Sequence, residues 1–249
     1  MFKRVMVAVV GLPLLILILG WAPSWATMLL LAAMCAIGAW ELMHAAAGER
    51  GRPLIPLTVI AAALVPVCVY AEVSIENTEL TALPVLPLTA LLVAVLVLAL
   101  FVVSICRYGG ERAVPFAALT TAIFAGLVFP LMLSCMLRLR MVPYIGMLLV
   151  FFPLCISFGS DTFAFFAGLL FGKHKLTPVS PKKTVEGAIG GLIGGVIGMM
   201  IMPFVGGMVI SDAFMSPTMA VAFGLLGSVV SQIGDLSFSV IKREFGVKD

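Results

Sequence analysis

Long apolar runs recur along the whole of this 249-residue chain and are separated by short polar segments. Hydrophobic residues make up 62% of the chain and charged residues only 11%, and the mean hydropathy is +1.22. A helix that crosses a bilayer needs about 20 mostly apolar residues, and its backbone polar groups must form hydrogen bonds within the segment. The sequence therefore predicts an all-α integral membrane protein, a polytopic bundle of transmembrane helices.

Eight runs are candidate transmembrane helices. They cover about residues 5–20, 25–47, 54–71, 84–106, 113–137, 142–172, 185–204 and 217–241. We divide the chain into N-terminal transmembrane helices, residues 1–137, and a C-terminal region that carries the candidate chemistry, residues 138–249. A helix over 142–172 would be about 46 Å long, against a hydrocarbon core of about 30 Å. We expect it to be tilted or to break at Pro153 or between Phe158 and Ser160.

Basic residues fall almost entirely on one side of this topology. An even number of spans places both termini on the same side, and all of the 15 Lys and Arg residues except Arg138 and Arg140 then share that side. Cytoplasmic segments of membrane proteins are enriched in Lys and Arg. The pattern predicts a multi-pass protein of the cell (inner) membrane, with the N-terminus and the polar segments in the cytoplasm.

The most polar stretch, Lys173 to Glu186, lies between the sixth and seventh candidate spans. Ser180 followed by Pro181 suits the N-cap and first position of the seventh helix, which would place Lys182 and Lys183 in its first turn. Two lysines beside free backbone N–H groups would form a phosphate site. The alternative is a basic cap that touches anionic lipid headgroups. We interpret His174 as an interfacial donor, because no residue near it in the sequence identifies a partner.

The last span carries a polar stripe at helical spacing, and we expect Asp235 on it to face a cavity that opens to the cytoplasm. The stripe contains Ser228, Ser231, Gln232, Asp235, Ser239 and Lys242. Hydrogen bonds between helices would account for its serines and Gln232 equally well. With Asp161 in the sixth span, the acids and lysines suggest a site for Mg²⁺ and a polyphosphate, since Mg²⁺ is typically held by one or two carboxylates plus substrate phosphates.

Glycines in the seventh span form two ladders at four-residue spacing, which indicate close helix packing in lipid. The ladders are Gly187, Gly191, Gly195 and Gly190, Gly194, Gly198.

Residues 159–249 resemble the phosphatidate cytidylyltransferase family, also called CDP-diacylglycerol synthase. The resemblance is carried by Ser160-Asp161-Thr162, Gly172-Lys173-His174-Lys175-Leu176, Ser180-Pro181-Lys182-Lys183-Thr184-Val185-Glu186-Gly187 and the segment from Ser239 to Asp249. The family signature continues beyond Asp249, so the resemblance also predicts C-terminal truncation, with further acids and a ninth span missing.

The resemblance implies a nucleotidyltransferase of phospholipid biosynthesis that converts CTP and phosphatidic acid into CDP-diacylglycerol and pyrophosphate, with Mg²⁺, alone or together with a second cation, as cofactor. Asp235 would be a Mg²⁺ ligand, and Asp161 a second ligand or a residue that orients one. The triphosphate would be held by Ser180, Lys182, Lys183 and Thr184. Lys242, Arg243 and Lys248 would meet the lipid phosphate or the departing pyrophosphate. Asp249 would belong to the metal region, which makes Asp161, Lys248 and Asp249 the candidate catalytic residues.

Two alternatives stay open, a transporter from another class of function and a second lipid-modifying enzyme on a related scaffold. A secondary transporter of a small anionic solute also uses broken helices with intramembrane acids. A related lipid kinase or CDP-lipid synthase would differ in nucleotide and lipid choice. The expected partners are CTP, phosphatidic acid and the lipid bilayer, with no nucleic acid, and a homodimer is plausible from the resemblance and the glycine ladders.

Overall fold

The computed structural model describes residues 2–76, 87–110, 113–210 and 214–246, with side chains from Val9 onward. Within these ranges it is helical, and seven helices are long and apolar enough to cross a membrane. A further apolar helix precedes them, so the prediction of an all-α polytopic membrane protein is confirmed. The helices are α1 (Phe2–Gly20), α2 (Ser24–Ala46), α3 (Gly48–Gly51), α4 (Ile55–Glu76), α5 (Leu88–Cys106), α6 (Phe116–Ile123), α7 (Phe129–Arg140), α8 (Gly146–Leu149), α9 (Phe152–Phe171), α10 (Val185–Val209) and α11 (Pro217–Glu244). A π-helical segment, Phe124–Val128, joins α6 to α7.

The first compact unit, Met1–Met147, is built around α2, α4 and α7. Leu31, Cys35 and Ala39 follow one another at four-residue spacing on α2, so they lie on one face, and all three are buried against other apolar residues of this unit. Val65 and Val69 on α4 belong to the same core. Because the outer faces remain apolar and exposed within the unit, this pattern is that of helices surrounded by hydrocarbon.

The two basic residues that depart from the predicted charge asymmetry have partners close by. Arg138 forms an ion pair of 3.1 Å with Glu72, and the Glu72 carboxylate also accepts a 2.6 Å hydrogen bond from the Thr89 backbone N–H. Arg140 donates from Nη2 to the carbonyl oxygens of Gly20 and Ala22, at 3.4 and 2.9 Å. These contacts give both arginines a structural role at the ends of α7 and α1.

The second unit, Leu148–Asp249, contains α9, α10 and α11 packed side by side. The break predicted within 142–172 falls between α8 and α9, next to Pro153, which occupies the first turn of α9. The alternative break between Phe158 and Ser160 is wrong, because α9 runs through these residues without interruption. Gly159 is instead a site of close backbone approach to Gly194 on α10.

Both glycine ladders are used for packing within this unit. On one side of α10, a Cβ at Gly190, Gly194 or Gly198 would meet atoms of α9, and on the other side a Cβ at Gly195 would meet Ser228 on α11. The packing interpretation is therefore confirmed. Because the ladders face α9 and α11, they give no support to a homodimer, which stays a prediction from the resemblance.

Candidate functional site

A cavity of about 440 Å³ lies in the second unit between α9, the start of α10, the middle of α11 and the segment that joins α9 to α10. Its volume falls in the range of small-molecule sites, about 300–1,000 Å³. Most of its wall is apolar, with a few charged and polar groups. The cavity is lined by Asp161, Ala164, Phe165, Gly168, Leu169, Leu176, Lys182, Lys183, Thr184, Gly187, Ala188, Gln232 and Asp235.

The segment between α9 and α10 folds back on itself, which brings its lysines to the cavity. The Leu176 N–H donates to the Lys183 carbonyl at 3.0 Å, and the Val185 N–H donates to the His174 carbonyl at 2.9 Å. Lys175 and Thr184 form an isolated antiparallel bridge between these two bonds. The chain thus leaves α9, turns, and returns beside its own path before α10 begins.

The start of α10 differs from the sequence prediction. Thr184, not Ser180, is the N-cap, and its hydroxyl accepts a 3.1 Å hydrogen bond from the Gly187 N–H. Lys182 and Lys183 therefore precede α10 instead of forming its first turn. The Ser180 carbonyl accepts a 3.0 Å bond from the Lys183 N–H, so Ser180 closes the turn that carries the lysines. Ser180 was predicted to initiate the helix because Ser-Pro suits a helix start, but the backbone pairing continues as far as Thr184.

His174 has a partner that its position in the sequence does not reveal. Its Nδ1 lies 2.7 Å from Glu186 Oε1, and its backbone N–H donates to the same carboxylate at 3.3 Å. Glu186 is in the first turn of α10, where a carboxylate is favourable next to the helix dipole. We call residues 172–184, between α9 and α10, the returning segment. The Glu186 side chain therefore links the beginning of this segment to the beginning of α10.

Two carboxylates and one ammonium group come together at the polar end of the cavity. Lys183 Nζ forms an ion pair with Asp235 Oδ2. Asp161 interacts electrostatically with both of them, repelled by Asp235 and attracted by Lys183. The two carboxylates come from α9 and α11, which pack against each other and against α10.

The two carboxylates that line this cavity, Asp161 and Asp235, are oxygen donors of the kind that Mg²⁺ prefers. Among the described residues no group of three or more His, Cys, Asp or Glu side chains could hold a metal ion alone. A pair of carboxylate ligands with room for water and phosphate oxygens is nevertheless the arrangement that Mg²⁺ uses when it binds together with a phosphorylated substrate. Asp161 and Asp235 are the residues that would hold it.

The polar stripe of α11 serves both of the purposes that the sequence allowed. Ser231 donates to Ser157 on α9 at 3.3 Å, and Gln232 Nε2 donates to the Ala188 carbonyl on α10 at 3.1 Å. These bonds form a polar seam between the helices. Asp235, one turn further along, lines the cavity instead.

Some predicted site residues lie away from the cavity lining. Arg243 donates from Nε to the Val179 carbonyl at 3.4 Å, which ties the end of α11 to the returning segment. Lys242 is its neighbour in the last turn of α11. Ser180 is in the turn described above. Lys248 and Asp249 lie outside the described residues, so their predicted roles are not addressed by the structure.

Two contributors to the site were not assigned a role from the sequence. Gln232 was interpreted only as part of a seam, although it also lines the cavity. Glu186 was treated as one residue of a polar block. No capping-box pattern indicates its role, because Glu186 comes two residues after Thr184 and the pattern requires three. Its partner depends on the turn between them, which the sequence pattern does not specify.

The chain matches the model of the cytidylyltransferase family over residues 2–249. It is similar to a protein named phosphatidate cytidylyltransferase from Staphylococcus saprophyticus, with 40% identity over 105 residues, which is 42% of this chain and 38% of that protein. The protein of the same name from Haemophilus influenzae is 37% identical over 109 residues, covering 43% of this chain and 37% of its own length.

A chloroplast protein from Arabidopsis thaliana, named phosphatidate cytidylyltransferase 5, is 40% identical over 108 residues, covering 42% of this chain and 25% of that protein. The matched stretches thus span less than half of the length of these relatives.

Proposed function

Because the chain belongs to the cytidylyltransferase family, we propose that it transfers the cytidylyl group of CTP to phosphatidate, giving CDP-diacylglycerol and pyrophosphate. The name that its relatives carry, phosphatidate cytidylyltransferase, supports this choice of substrates. The observation that carries the proposal is the cavity of the second unit, where Asp161, Lys183 and Asp235 meet.

In the proposed reaction an oxygen of the phosphatidate phosphate attacks the α-phosphorus of CTP. A new P–O bond forms there, the bond from the α-phosphorus to the bridging oxygen breaks, and pyrophosphate leaves with the electron pair. Such transfers depend mainly on positioning and on neutralising charge. No covalent intermediate with the protein is needed.

The residues of the cavity suit these two tasks. Lys182 and Lys183 would contact the triphosphate oxygens and offset negative charge on the departing pyrophosphate. The Thr184 hydroxyl caps the start of α10, which follows the two lysines directly. Asp161 and Asp235 would hold Mg²⁺, which when bound supplies further positive charge to phosphate oxygens.

The lipid phosphate is expected near the end of α11. Lys242 and Arg243 are the basic residues of its last turn, and the Arg243 side chain reaches the segment that carries Lys182 and Lys183. In this proposal the two basic residues attract the phosphatidate headgroup, and the lysines of the returning segment receive the triphosphate.

We further place the site at the cytoplasmic face of the cell (inner) membrane, with the N-terminus on the same side. The support is the distribution of basic residues, which collect in the segments on this side of the topology. Fusing a reporter that is active only in the cytoplasm to the N-terminus should give activity. Activity from a reporter that folds only outside the cytoplasm would reverse the orientation.

The enzymatic proposal is tested with the purified chain in lipid nanodiscs. Radiolabelled CTP, phosphatidate and Mg²⁺ should yield labelled CDP-diacylglycerol. Asp235→Asn should lower turnover by about 100-fold, because it removes a ligand of the Mg²⁺ that would offset negative charge in the transition state. Glu244→Gln is the matched control, because it removes the same charge from the exposed end of the same helix and should keep most of the activity.

A folded, monodisperse protein that forms no CDP-diacylglycerol under these conditions would contradict the proposal. Transfer from ATP in place of CTP, or to a polyprenol in place of phosphatidate, would instead assign the chain to a related lipid kinase or CDP-lipid synthase. Equal activity of Asp235→Asn and the Glu244→Gln control would remove Asp235 from the site.

A further inference from the structure

The Lys183–Asp235 ion pair joins two side chains that the proposed function assigns to different ligands. Lys183 lies in the segment before α10 and Asp235 on α11, and both line the same cavity. The proposed function needs Lys183 for phosphate oxygens and Asp235 for a divalent cation. Each group therefore has a partner of opposite charge in the structure and would need a different partner in the proposed reaction.

We propose that Lys183 and Asp235 exchange partners when the site fills, so that each shields the other until a polyphosphate and a divalent cation arrive together. This inference rests on the proposed nucleotide site. A polyphosphate without its cation can recruit Lys183 only by leaving Asp235 unpaired beside a negative ligand. A cation without the polyphosphate can recruit Asp235 only by taking it from Lys183 and placing a second positive charge beside that ammonium group.

The local charges favour this coupling. Asp161 adds a second carboxylate that interacts with both members of the pair, so a metal-free polyphosphate would face two carboxylates. The Asp235 side chain is 57% exposed and the Lys183 side chain 30% exposed, so solvent screens their attraction and the pair can open. The expected strength is that of a partly exposed ion pair, not of a buried one.

The exchange of partners predicts that the nucleotide and the divalent cation bind cooperatively. It also predicts that Asp235 weakens binding of a metal-free polyphosphate to Lys183, and that Lys183 weakens binding of a cation alone to Asp235. Thermodynamic coupling is reciprocal, so the same factor must appear in nucleotide binding and in metal binding. Removing Asp235 frees Lys183 for a metal-free polyphosphate. Removing Lys183 frees Asp235 for a cation alone.

The first arm measures CTP binding to the 249-residue chain in nanodiscs without phosphatidate, by equilibrium dialysis in EDTA and in Mg²⁺. In EDTA, Asp235→Asn should bind CTP about five-fold more tightly than the unmodified chain, the ratio given by an ion pair at the upper end of the exposed range. Mg²⁺ should strengthen CTP binding to the unmodified chain much more than to Asp235→Asn. Glu244→Gln, which removes the same charge from the end of α11, should behave like the unmodified chain.

The second arm measures Mn²⁺ binding without nucleotide, by electron paramagnetic resonance. Lys183→Met should bind Mn²⁺ more tightly than the unmodified chain. Lys175→Met is the control, because it removes the same charge from an exposed position in the same segment that does not line the cavity.

The exchange is overturned if Asp235→Asn binds CTP in EDTA no better than Glu244→Gln, or if Lys183→Met and Lys175→Met bind Mn²⁺ equally. Neither arm uses turnover, so both can succeed in a chain that fails to make CDP-diacylglycerol, and that failure would count against the proposed reaction alone. Absence of CTP binding even with Mg²⁺ would refute the exchange together with the nucleotide site.

Discussion

Replacing Gly198 by alanine should separate α9 from α10, because the added Cβ has no space. It would lie against the Cys155 carbonyl oxygen, 3.2 Å from the carbonyl carbon and 3.5 Å from the Gly159 Cα. All three are backbone atoms, and none can rotate away as a side chain would. Inserting a methyl group into such a contact costs about 1–3 kcal/mol.

A second glycine of α10 provides the matched control. Gly207 is exposed, and a Cβ there would meet nothing within 4 Å. Alanine at either position gains the same helix propensity, at most about 1 kcal/mol. The difference in unfolding free energy between Gly198→Ala and Gly207→Ala therefore isolates the packing cost, and we expect Gly198→Ala to be less stable by about 1–3 kcal/mol.

The assay is unfolding of both variants in the same detergent, followed by circular dichroism during titration with a denaturing detergent. The close approach also positions the site, because Asp161 is on α9 and Lys183 immediately precedes α10. Equal stability of the two variants would refute the reasoning, since it would mean that α9 and α10 do not approach at Gly198.

Four further substitutions test other parts of the second unit. Thr184→Val removes the N-cap of α10, so it should lower the unfolding free energy by about 1 kcal/mol and raise the KM for CTP. Ser216→Ala removes the N-cap of α11 and should lower the unfolding free energy by a similar amount while leaving the KM for CTP unchanged. Glu186→Ala releases His174 and should raise the KM for CTP several-fold more than it lowers kcat, so an unchanged KM would contradict this linking role. Ser160→Ala should keep or increase the unfolding free energy, because the fully buried Ser160 hydroxyl makes no hydrogen bond with the described residues; a loss of more than about 1 kcal/mol would contradict this.

The helices could be predicted from the sequence because the bilayer imposes strict rules on length and polarity. Five of the seven predicted spans from 25–47 onward each coincide with one described helix, whereas 113–137 and 142–172 each cover consecutive helical segments. Where the predicted ends fall on described residues, they differ from the helix ends by at most about five residues. The spacing of Gly190, Gly194 and Gly198 predicted a close helix contact, because small residues four positions apart let two helix backbones approach each other in lipid. Only the structure shows that the helix they contact is α9.

The site was predicted less completely, because it depends on how the segment between α9 and α10 turns. We predicted one common site for Asp161, Asp235 and the lysines, because charged side chains in or beside a membrane are costly and usually line a cavity or bind a ligand. The sequence did not show that Thr184 caps α10, that Glu186 holds His174, or that Lys183 pairs with Asp235. Each of these contacts depends on tertiary geometry or on backbone pairing, and neither leaves a periodic pattern in the sequence.

The most direct measurement of whether a nucleotide occupies the cavity is the alkylation rate of a cysteine placed in its wall. Leu176→Cys puts the thiol in the cavity lining, and Val179→Cys puts one in the same segment outside the lining. Mass spectrometry of the peptides separates both from the five native cysteines, none of which lies in this segment. CTP with Mg²⁺ should slow alkylation of Leu176→Cys several-fold and leave Val179→Cys unchanged. An unchanged rate for Leu176→Cys at CTP concentrations that saturate binding would contradict a nucleotide site in this cavity.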